Sequence, residues 1–405
     1  MRRILLLLAV AALAACSSED PAASDASTVP SASAPAPTAP ASTAPAPGVG
    51  SAASSPEATA PLPSDAPAPP GDTVPPPPGY PPQPEGVPFP GADWPTAPLP
   101  DWVNRDELDA VVDEAFGPAD ADNRVRAVVV VHGGQIVYER YHPLSGPDQV
   151  HASYSVAKSF LATLVGQLVE DGLLDLDAPI ERPEWPEGDP RREITLRHLL
   201  QMSSGLEWDE VRSLATMGFT MLASPSAAAV MAEQPLERPP GTAFEYSTGT
   251  SALIAGIAAD ALGGCAQLDA HLRERLLEPI GITTARITTD GSGCFVGGLG
   301  LDMTSRDFAR FGLLNVRGGW WDGRQVVRTE WIDAERTPSP TNPQYGLHWW
   351  LGPTGAQFSA IGLGGQHVAV FPAADLVIVV NSAIGNDGRA AELVASIAHL
   401  FGAQG

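Results

Sequence analysis

The sequence of 405 residues contains a single lysine, Lys158, and every other basic position is an arginine. Asp and Glu number 47 against 23 Lys and Arg, which gives a formal net charge of −24 at pH 7. Nucleic-acid binding needs a basic surface, so this balance argues against a nucleic-acid partner. The sequence has no apolar run long enough to cross a bilayer. The presence of one lysine among so many arginines therefore requires an explanation.

Cysteine is also scarce, with three residues, and the first of them predicts lipidation. Arg2-Arg3 and the apolar residues 4–12 form a signal peptide over residues 1–15, which is too short for a transmembrane span. Leu13-Ala14-Ala15-Cys16 then resembles a bacterial lipobox, and Cys16 would carry the lipid. The alternative is an ordinary secretory signal with a chance cysteine. Either way we expect the protein outside the cytoplasm, and lipidation would anchor it to a membrane of the cell envelope.

The two remaining cysteines, Cys265 and Cys294, are an even pair in a chain expected to be exported. A disulfide between them is one interpretation, and two separate buried thiols are the other, because sequence does not give their distance.

Basic residues are absent between Arg3 and Arg105, and the stretch from residue 16 to 100 is mostly Pro, Ala, Ser and Thr. Such a composition buries too little apolar surface to offset the entropy of ordering the chain. It predicts a disordered, extended tether over residues 16–100. Residues 101–405 are long enough for one packed domain.

Lys158 stands three positions after Ser155, at the start of the apolar stretch 161–169. Positions i and i+3 lie on one face of a helix, so the hydroxyl and the amine can meet. A buried lysine can become neutral and accept a proton, which arginine cannot, and a serine beside a neutral amine is an activated nucleophile. The alternative is an ordinary helix start with a solvated lysine.

The pattern of helices and strands predicts an α+β fold. Val125–Val131 and Gln135–Tyr138 form one hairpin, and residues 367–371 and 376–381 form another. The middle of the chain is mostly helical, and helices are also expected over 105–116 and 387–401. We therefore expect an antiparallel sheet built from both chain ends and flanked by helices, with a helical middle lobe.

Markers of other chemistries are missing. The sequence has no Gly-x-Ser-x-Gly elbow, no His-Glu-x-x-His and no Cys-x-x-Cys, and its eight histidines are scattered. No cofactor or metal is expected.

Taken together, residues 101–405 resemble the serine β-lactamase and penicillin-binding-protein family. The similarity is to its class C-like branch, which includes esterases, D-aminopeptidases and nylon-oligomer hydrolases. Beyond Ser155 and Lys158, it is carried by residues 196–206, 244–247, 298–312, 345–350 and 364–366.

The resemblance implies roles for further residues. Tyr246 would share protons with the lysine, and a phenol could do so if cationic neighbours lowered its pKa; the alternative is a half-buried tyrosine at a helix start. Thr248 stands where the family has asparagine, and the family's Lys-Thr-Gly motif is missing, its positions falling near 357–359. The oxyanion hole would use the backbone N–H of Ser155 and of a residue within 360–362.

We therefore expect a lipid-anchored extracytoplasmic serine hydrolase in which Ser155, Lys158 and Tyr246 act on small esters or amides through an acyl-enzyme. A β-lactamase or D-Ala carboxypeptidase is the alternative enzyme, since Arg306 or Arg310 could replace the missing cation. A non-catalytic module that binds peptidoglycan fragments is the alternative from another class. The expected partners are a small-molecule substrate and the membrane, and we expect a monomer.

Overall fold

The computed structural model describes residues 79–118, 125–210, 212, 218–383 and 388–403. Its centre is a six-stranded antiparallel sheet with the strand order β2-β1-β11-β10-β9-β8. The strands are β1 (Val125–His132), β2 (Gln135–Tyr141), β8 (Trp350–Leu351), β9 (Phe358–Gly362), β10 (Gln366–Phe371) and β11 (Leu376–Ser382). β1 pairs with β11 along nearly its whole length, so the two chain ends share the sheet. This confirms the predicted α+β fold.

Helices cover both faces of the sheet. They are α1 (Arg105–Phe116), α2 (Ala157–Glu170), α3 (Leu196–Leu200), α4 (Gly218–Ala223), α5 (Ala227–Ala232), α6 (Thr248–Leu262), α7 (Cys265–His271), α8 (Ser305–Val316), α9 (Thr329–Glu335) and α10 (Arg389–Leu400). A π-helical turn, Leu272–Leu277, continues α7. Side-chain caps fix several starts: Asn104 caps α1, Ser247 caps α6 and Thr304 caps α8.

The core is divided by the sheet because successive strand residues point to opposite faces. Val128 and Val130 of β1 pack with α1 and α10, whereas Val129 and Val131 pack with α2, α8 and the helical lobe. The unbroken valine run of β1 is thus explained by burial on both sides.

Short strands and a disulfide complete the lobe. β3 (Val150–His151), β5 (Leu301–Thr304) and β4 (Arg286–Ile287) form a three-stranded sheet, and β6 (Trp320–Trp321) pairs with β7 (Arg324–Gln325). Cys265 and Cys294 are joined in a disulfide, which decides between the two interpretations of this pair. In the described part of the chain no single helix has the length and apolarity of a bilayer span, although α6 and the segment Cys265–Ile280, bent by 95°, meet both criteria as a pair.

The predicted tether boundary at residue 100 is wrong, because residues 79–100 pack on the domain. Tyr80 and Trp94 are buried, and the Tyr80 hydroxyl donates to Asp333 at 2.8 Å. The Arg310 guanidinium donates to the carbonyl oxygens of Pro90 (2.8 Å) and Gly91 (2.6 Å). We call residues 79–100 the N-terminal strap. Although the strap is rich in proline, the aromatic side chains of Tyr80 and Trp94 anchor it to residues more than 200 positions later in the chain, Asp333 and Arg310. Cys16 and the rest of the tether lie outside the described residues.

Candidate active site

Ser155 lies on a single 3-10 turn, Tyr154–Val156, that leads directly into α2. Ser153, the residue before the turn, is held by two hydrogen bonds. Its backbone N–H donates to Asp302 at 3.0 Å, and the Ser153 hydroxyl accepts from the Leu301 N–H at 2.8 Å. Tyr154 has φ 43°, a left-handed conformation that is costly for a non-glycine residue and is often found beside reactive groups. The serine is therefore presented by a constrained backbone.

Lys158 is one helical turn beyond Ser155 and is only 1% exposed. Its Nζ lies 3.1 Å from Ser155 Oγ, 2.9 Å from Thr248 Oγ1 and 2.8 Å from the Gly298 carbonyl oxygen. The predicted meeting of hydroxyl and amine is confirmed, and the alternative of a solvated lysine is excluded. No water-exposed face of the amine remains, because protein oxygens occupy all three directions around it.

Burial changes the protonation of this amine. Desolvation lowers the pKa of Lys158 to about 8, against an opposing effect from the negative charge of Glu210. A substantial fraction of the amine is then neutral near physiological pH. Arginine could not reach this state, which explains why this position differs from every other basic one.

Tyr246 lies just before α6, with its ring facing Lys158; the distance from Nζ to the ring centroid is 5.0 Å. Burial is the main cause that raises the pKa of Tyr246, and the charge of Glu210 adds to it, whereas contact with the Ser155 hydroxyl opposes both. The condition considered from the sequence, cationic neighbours that lower this pKa, is therefore not met. Tyr246 is a neutral phenol beside the serine, able to donate a proton but not to begin as phenolate.

The strand expected to carry the third motif is β9, which runs against the nucleophile turn. A side chain at Gly362 would collide with the carbonyl oxygen of Ser153, so this approach requires glycine. On the β9 side, β8 pairs with Phe358 and Ser359, which leaves residues 360–362 beyond the end of β8, beside the turn. At the motif's first position, Gln357 donates to the Ser359 hydroxyl at 2.8 Å, and a lysine is absent.

Neither candidate replacement for the missing cation faces the serine. Arg306 pairs with Glu139 of β2, with Nε 3.0 Å from the carboxylate. Arg310 is buried against the strap and Asp307. The suggestion that one of them supplies the third-motif charge is thus wrong, because both guanidinium groups are occupied elsewhere.

An aromatic cluster continues from Tyr246. Trp350 stacks on the Tyr246 ring with centroids 5.6 Å apart, and Tyr345 meets Trp350 edge-on at 4.9 Å. Tyr345 and Trp349 are buried, whereas Trp350 keeps part of its surface exposed. Trp349 is therefore a residue of the hydrophobic core, whereas the partly exposed Trp350 lines the site beside Tyr246.

Sequence reasoning missed three residues of this site. Thr248 and Gly298 accept hydrogen bonds from Lys158, and Glu210 accepts one from the Thr248 hydroxyl at 2.5 Å. The available signal was Thr248, which stands where the resembled family has asparagine. Glu210 follows Glu207 and Asp209 in an acidic segment with no motif, so only the folded chain identifies it.

Known proteins resemble this chain in sequence and in fold. A family model described as Beta-lactamase matches residues 112–399. The 6-aminohexanoate-dimer hydrolase of Paenarthrobacter ureafaciens is 25% identical over 280 residues, which cover 62% of this chain and 71% of that protein. A Bacillus anthracis structure provisionally given the same name is 23% identical with a TM-score of 0.63, covering 79% of this chain and 91% of that one. A penicillin-binding protein homologue from Pyrococcus abyssi, 19% identical with a TM-score of 0.58 and covering 74% and 78%, shares the fold.

Proposed function

The chain belongs to the β-lactamase family of serine hydrolases, and from that premise we propose that it cleaves carboxylic esters or small amides through an acyl-enzyme on Ser155. Lys158 is the general base in this proposal, and Tyr246 donates a proton to the leaving group. The name of the Paenarthrobacter relative, a hydrolase of an aminohexanoate dimer, supports an amide or ester substrate.

One observation carries the proposal: the buried amine of Lys158 lies 3.1 Å from Ser155 Oγ, with its two other contacts on Thr248 and Gly298. A neutral amine held in this way directs its lone pair to the serine. General-base assistance of this kind contributes about 10²–10⁴-fold to the rate.

The proton transfers balance over the cycle. Lys158 takes the proton of Ser155 as Oγ bonds to the substrate carbonyl carbon, and Tyr246 protonates the leaving oxygen or nitrogen as its bond to that carbon breaks. Lys158, now an ammonium, returns a proton to Tyr246. A water molecule then attacks the acyl group by the same route and regenerates the serine. Backbone N–H groups of Ser155 and of a residue within 360–362 bind the developing oxyanion.

Gln357 stands in place of the motif lysine, and Arg306 and Arg310 are engaged elsewhere, which supports simple esters or amides over β-lactams and D-Ala peptides, which carry a carboxylate. Losing a charge-assisted hydrogen bond costs about 1.5–3 kcal/mol, or about ten- to one-hundred-fold in transition-state binding. A β-lactamase or D-Ala carboxypeptidase is the second candidate, favoured by the family's fold. A non-catalytic peptidoglycan-binding module is disfavoured by the intact Ser155, Lys158 and Tyr246.

The test compares kcat/KM for p-nitrophenyl butyrate and nitrocefin on one preparation. We expect the ester to be the better substrate, and Ser155→Ala to abolish its turnover and labelling by a fluorophosphonate. Ser396→Ala, on α10 across the sheet, is the matched control and should behave as wild type. Faster nitrocefin hydrolysis would favour the β-lactamase, and neither turnover nor labelling would favour the binding module.

For localisation we propose a lipid anchor at Cys16 and a position outside the cytoplasm. The residues before Cys16 support the anchor, and the Cys265–Cys294 disulfide supports an oxidising compartment. Cys16→Ser should move the protein from the membrane fraction to the soluble fraction. A mutant that still sediments with membranes would contradict the anchor.

A further inference from the structure

The Thr248 side chain lies between Lys158 and a carboxylate. Its hydroxyl is 2.9 Å from Lys158 Nζ and 2.5 Å from Glu210 Oε1, and its backbone N–H donates to Glu210 Oε2 at 2.8 Å. The indole N–H of Trp208 donates to the same Oε2 at 2.6 Å and fixes the carboxylate. Glu210 therefore accepts hydrogen bonds from both the backbone N–H and the hydroxyl of Thr248, the first residue of α6.

These contacts determine which way each proton points. A carboxylate can only accept, so the single hydroxyl proton of Thr248 is directed to Glu210, and its oxygen must accept from Lys158. The Gly298 carbonyl also only accepts. A neutral amine has two N–H groups, and both are now committed. Its lone pair is left for the third direction, towards Ser155 Oγ.

We infer that Glu210, acting through the Thr248 hydroxyl, is a positioning residue that aims the lone pair of Lys158 at Ser155. Thr248 stands where the resembled family has an asparagine, so this chain has a hydroxyl paired with a carboxylate at that place. This inference rests on the proposed function, because it assumes that Lys158 is the base for Ser155.

Glu210 has a second, electrostatic effect that can be separated from the first. Its charge raises the pKa of Lys158, whereas burial lowers it. The other titratable groups around the amine are Tyr246, whose pKa is raised, and His348, whose pKa burial lowers to about 3. Tyr345 behind them also has a raised pKa. These three stay neutral near pH 8, so Glu210 is the group whose charge faces Lys158.

Glu210→Gln is the informative substitution. The glutamine oxygen is required by two donors, the Thr248 N–H and the Trp208 indole, so its NH₂ group would face the Thr248 hydroxyl. The hydroxyl proton would then turn to Lys158 and occupy the lone pair. We expect kcat for p-nitrophenyl butyrate at its alkaline plateau to fall about ten- to one-hundred-fold, with KM changed little. The midpoint of the acid limb should move to lower pH, because the charge is gone.

Thr248→Val should show the same loss of kcat, whereas Thr248→Ser, which keeps the hydroxyl, should restore it. Glu207→Gln is the matched control, since it is the same change on an exposed side chain three residues before Glu210. Rates are normalised to active sites titrated with a fluorophosphonate, and melting temperatures are measured in parallel.

The inference is overturned if, per titrated site, Glu210→Gln and Thr248→Val keep the wild-type plateau and pH midpoint and only lower the melting temperature. That outcome would make the pair purely structural. Failure of the proposed function looks different: wild-type enzyme would then show no turnover that depends on Ser155.

Discussion

The protonation of Lys158 leads to a quantitative prediction for the pH dependence of catalysis. With a pKa of about 8, about one tenth of the amine is neutral at pH 7 and about nine tenths at pH 9. Only the neutral form can accept the Ser155 proton. We therefore expect kcat/KM for an ester to rise about ten-fold over this range, with a midpoint near pH 8.

Neighbouring groups must not titrate in the same window if the midpoint is to be assigned. The pKa of His348 is about 3 and that of Tyr246 is raised, so neither changes charge between pH 7 and 9. Glu335 does: burial raises the pKa of its carboxyl to about 8, and it contacts Thr163 on the same helix as Lys158. Glu335→Gln is therefore the essential control, and it should leave the midpoint unchanged.

The assay follows p-nitrophenyl butyrate hydrolysis from pH 6 to 10, at a wavelength where p-nitrophenol and its anion absorb equally. The rate with Ser155→Ala is subtracted as background. Lys158→Arg should lose about 10²–10⁴-fold at every pH, because arginine keeps the charge but cannot act as base. A profile that is flat or falls between pH 7 and 9, or a midpoint that moves with Glu335→Gln, would refute the assignment.

Two other predictions concern stability. Between pH 4.5 and about 8 the folded protein keeps a proton on Glu335 that the unfolded chain has released, so the free energy of unfolding of the wild type falls as pH rises. Glu335→Gln removes this pH dependence. Its free energy of unfolding should exceed that of the wild type by an amount that grows from near zero at pH 4.5 towards about 5 kcal/mol at pH 8. Deleting residues 79–97 should lower the melting temperature by about 10 °C or more, since buried Arg310 and Arg317 lose partners, whereas deleting residues 20–72 should leave it unchanged. Equal melting temperatures for the two deletions, or a Glu335→Gln advantage independent of pH, would contradict these two predictions.

Four strands of the central sheet and the helices near the two chain ends follow from local patterns that the sequence displays. Asn104 before an acidic first turn predicts the start of α1, and the valine-rich run of β1 predicts a buried strand. A sheet shared by the two hairpins was expected from their positions at the chain ends, and the structure adds that β1 and β11 are the strands that pair. The strap did not follow, because its packing depends on a few aromatic side chains and on arginines distant in sequence. The overall composition of a segment does not show individual side chains that anchor it to a domain.

The site was predictable where its chemistry depends on spacing, as for Ser155 and Lys158. It was not predictable where the partner comes from a segment without a motif, as for Glu210, or where the folded environment sets a pKa, as for Tyr246. A lowered pKa for that tyrosine was a condition for its proposed proton sharing, but burial and the charge of Glu210 raise the pKa. The local sequence does not show how strongly a side chain will be desolvated in the folded protein.

The distribution of basic residues has a common physical explanation in the folded chain. Arg310 donates to two successive carbonyl oxygens of the strap, and Arg317 donates to both oxygens of Asp375 and to Gln83. These tasks require a permanent charge and a forked set of donors, which arginine has and lysine lacks. Lys158 needs the opposite, a cation that gives up its charge when buried. The one lysine of the chain therefore stands at the position in this site where an arginine could not serve.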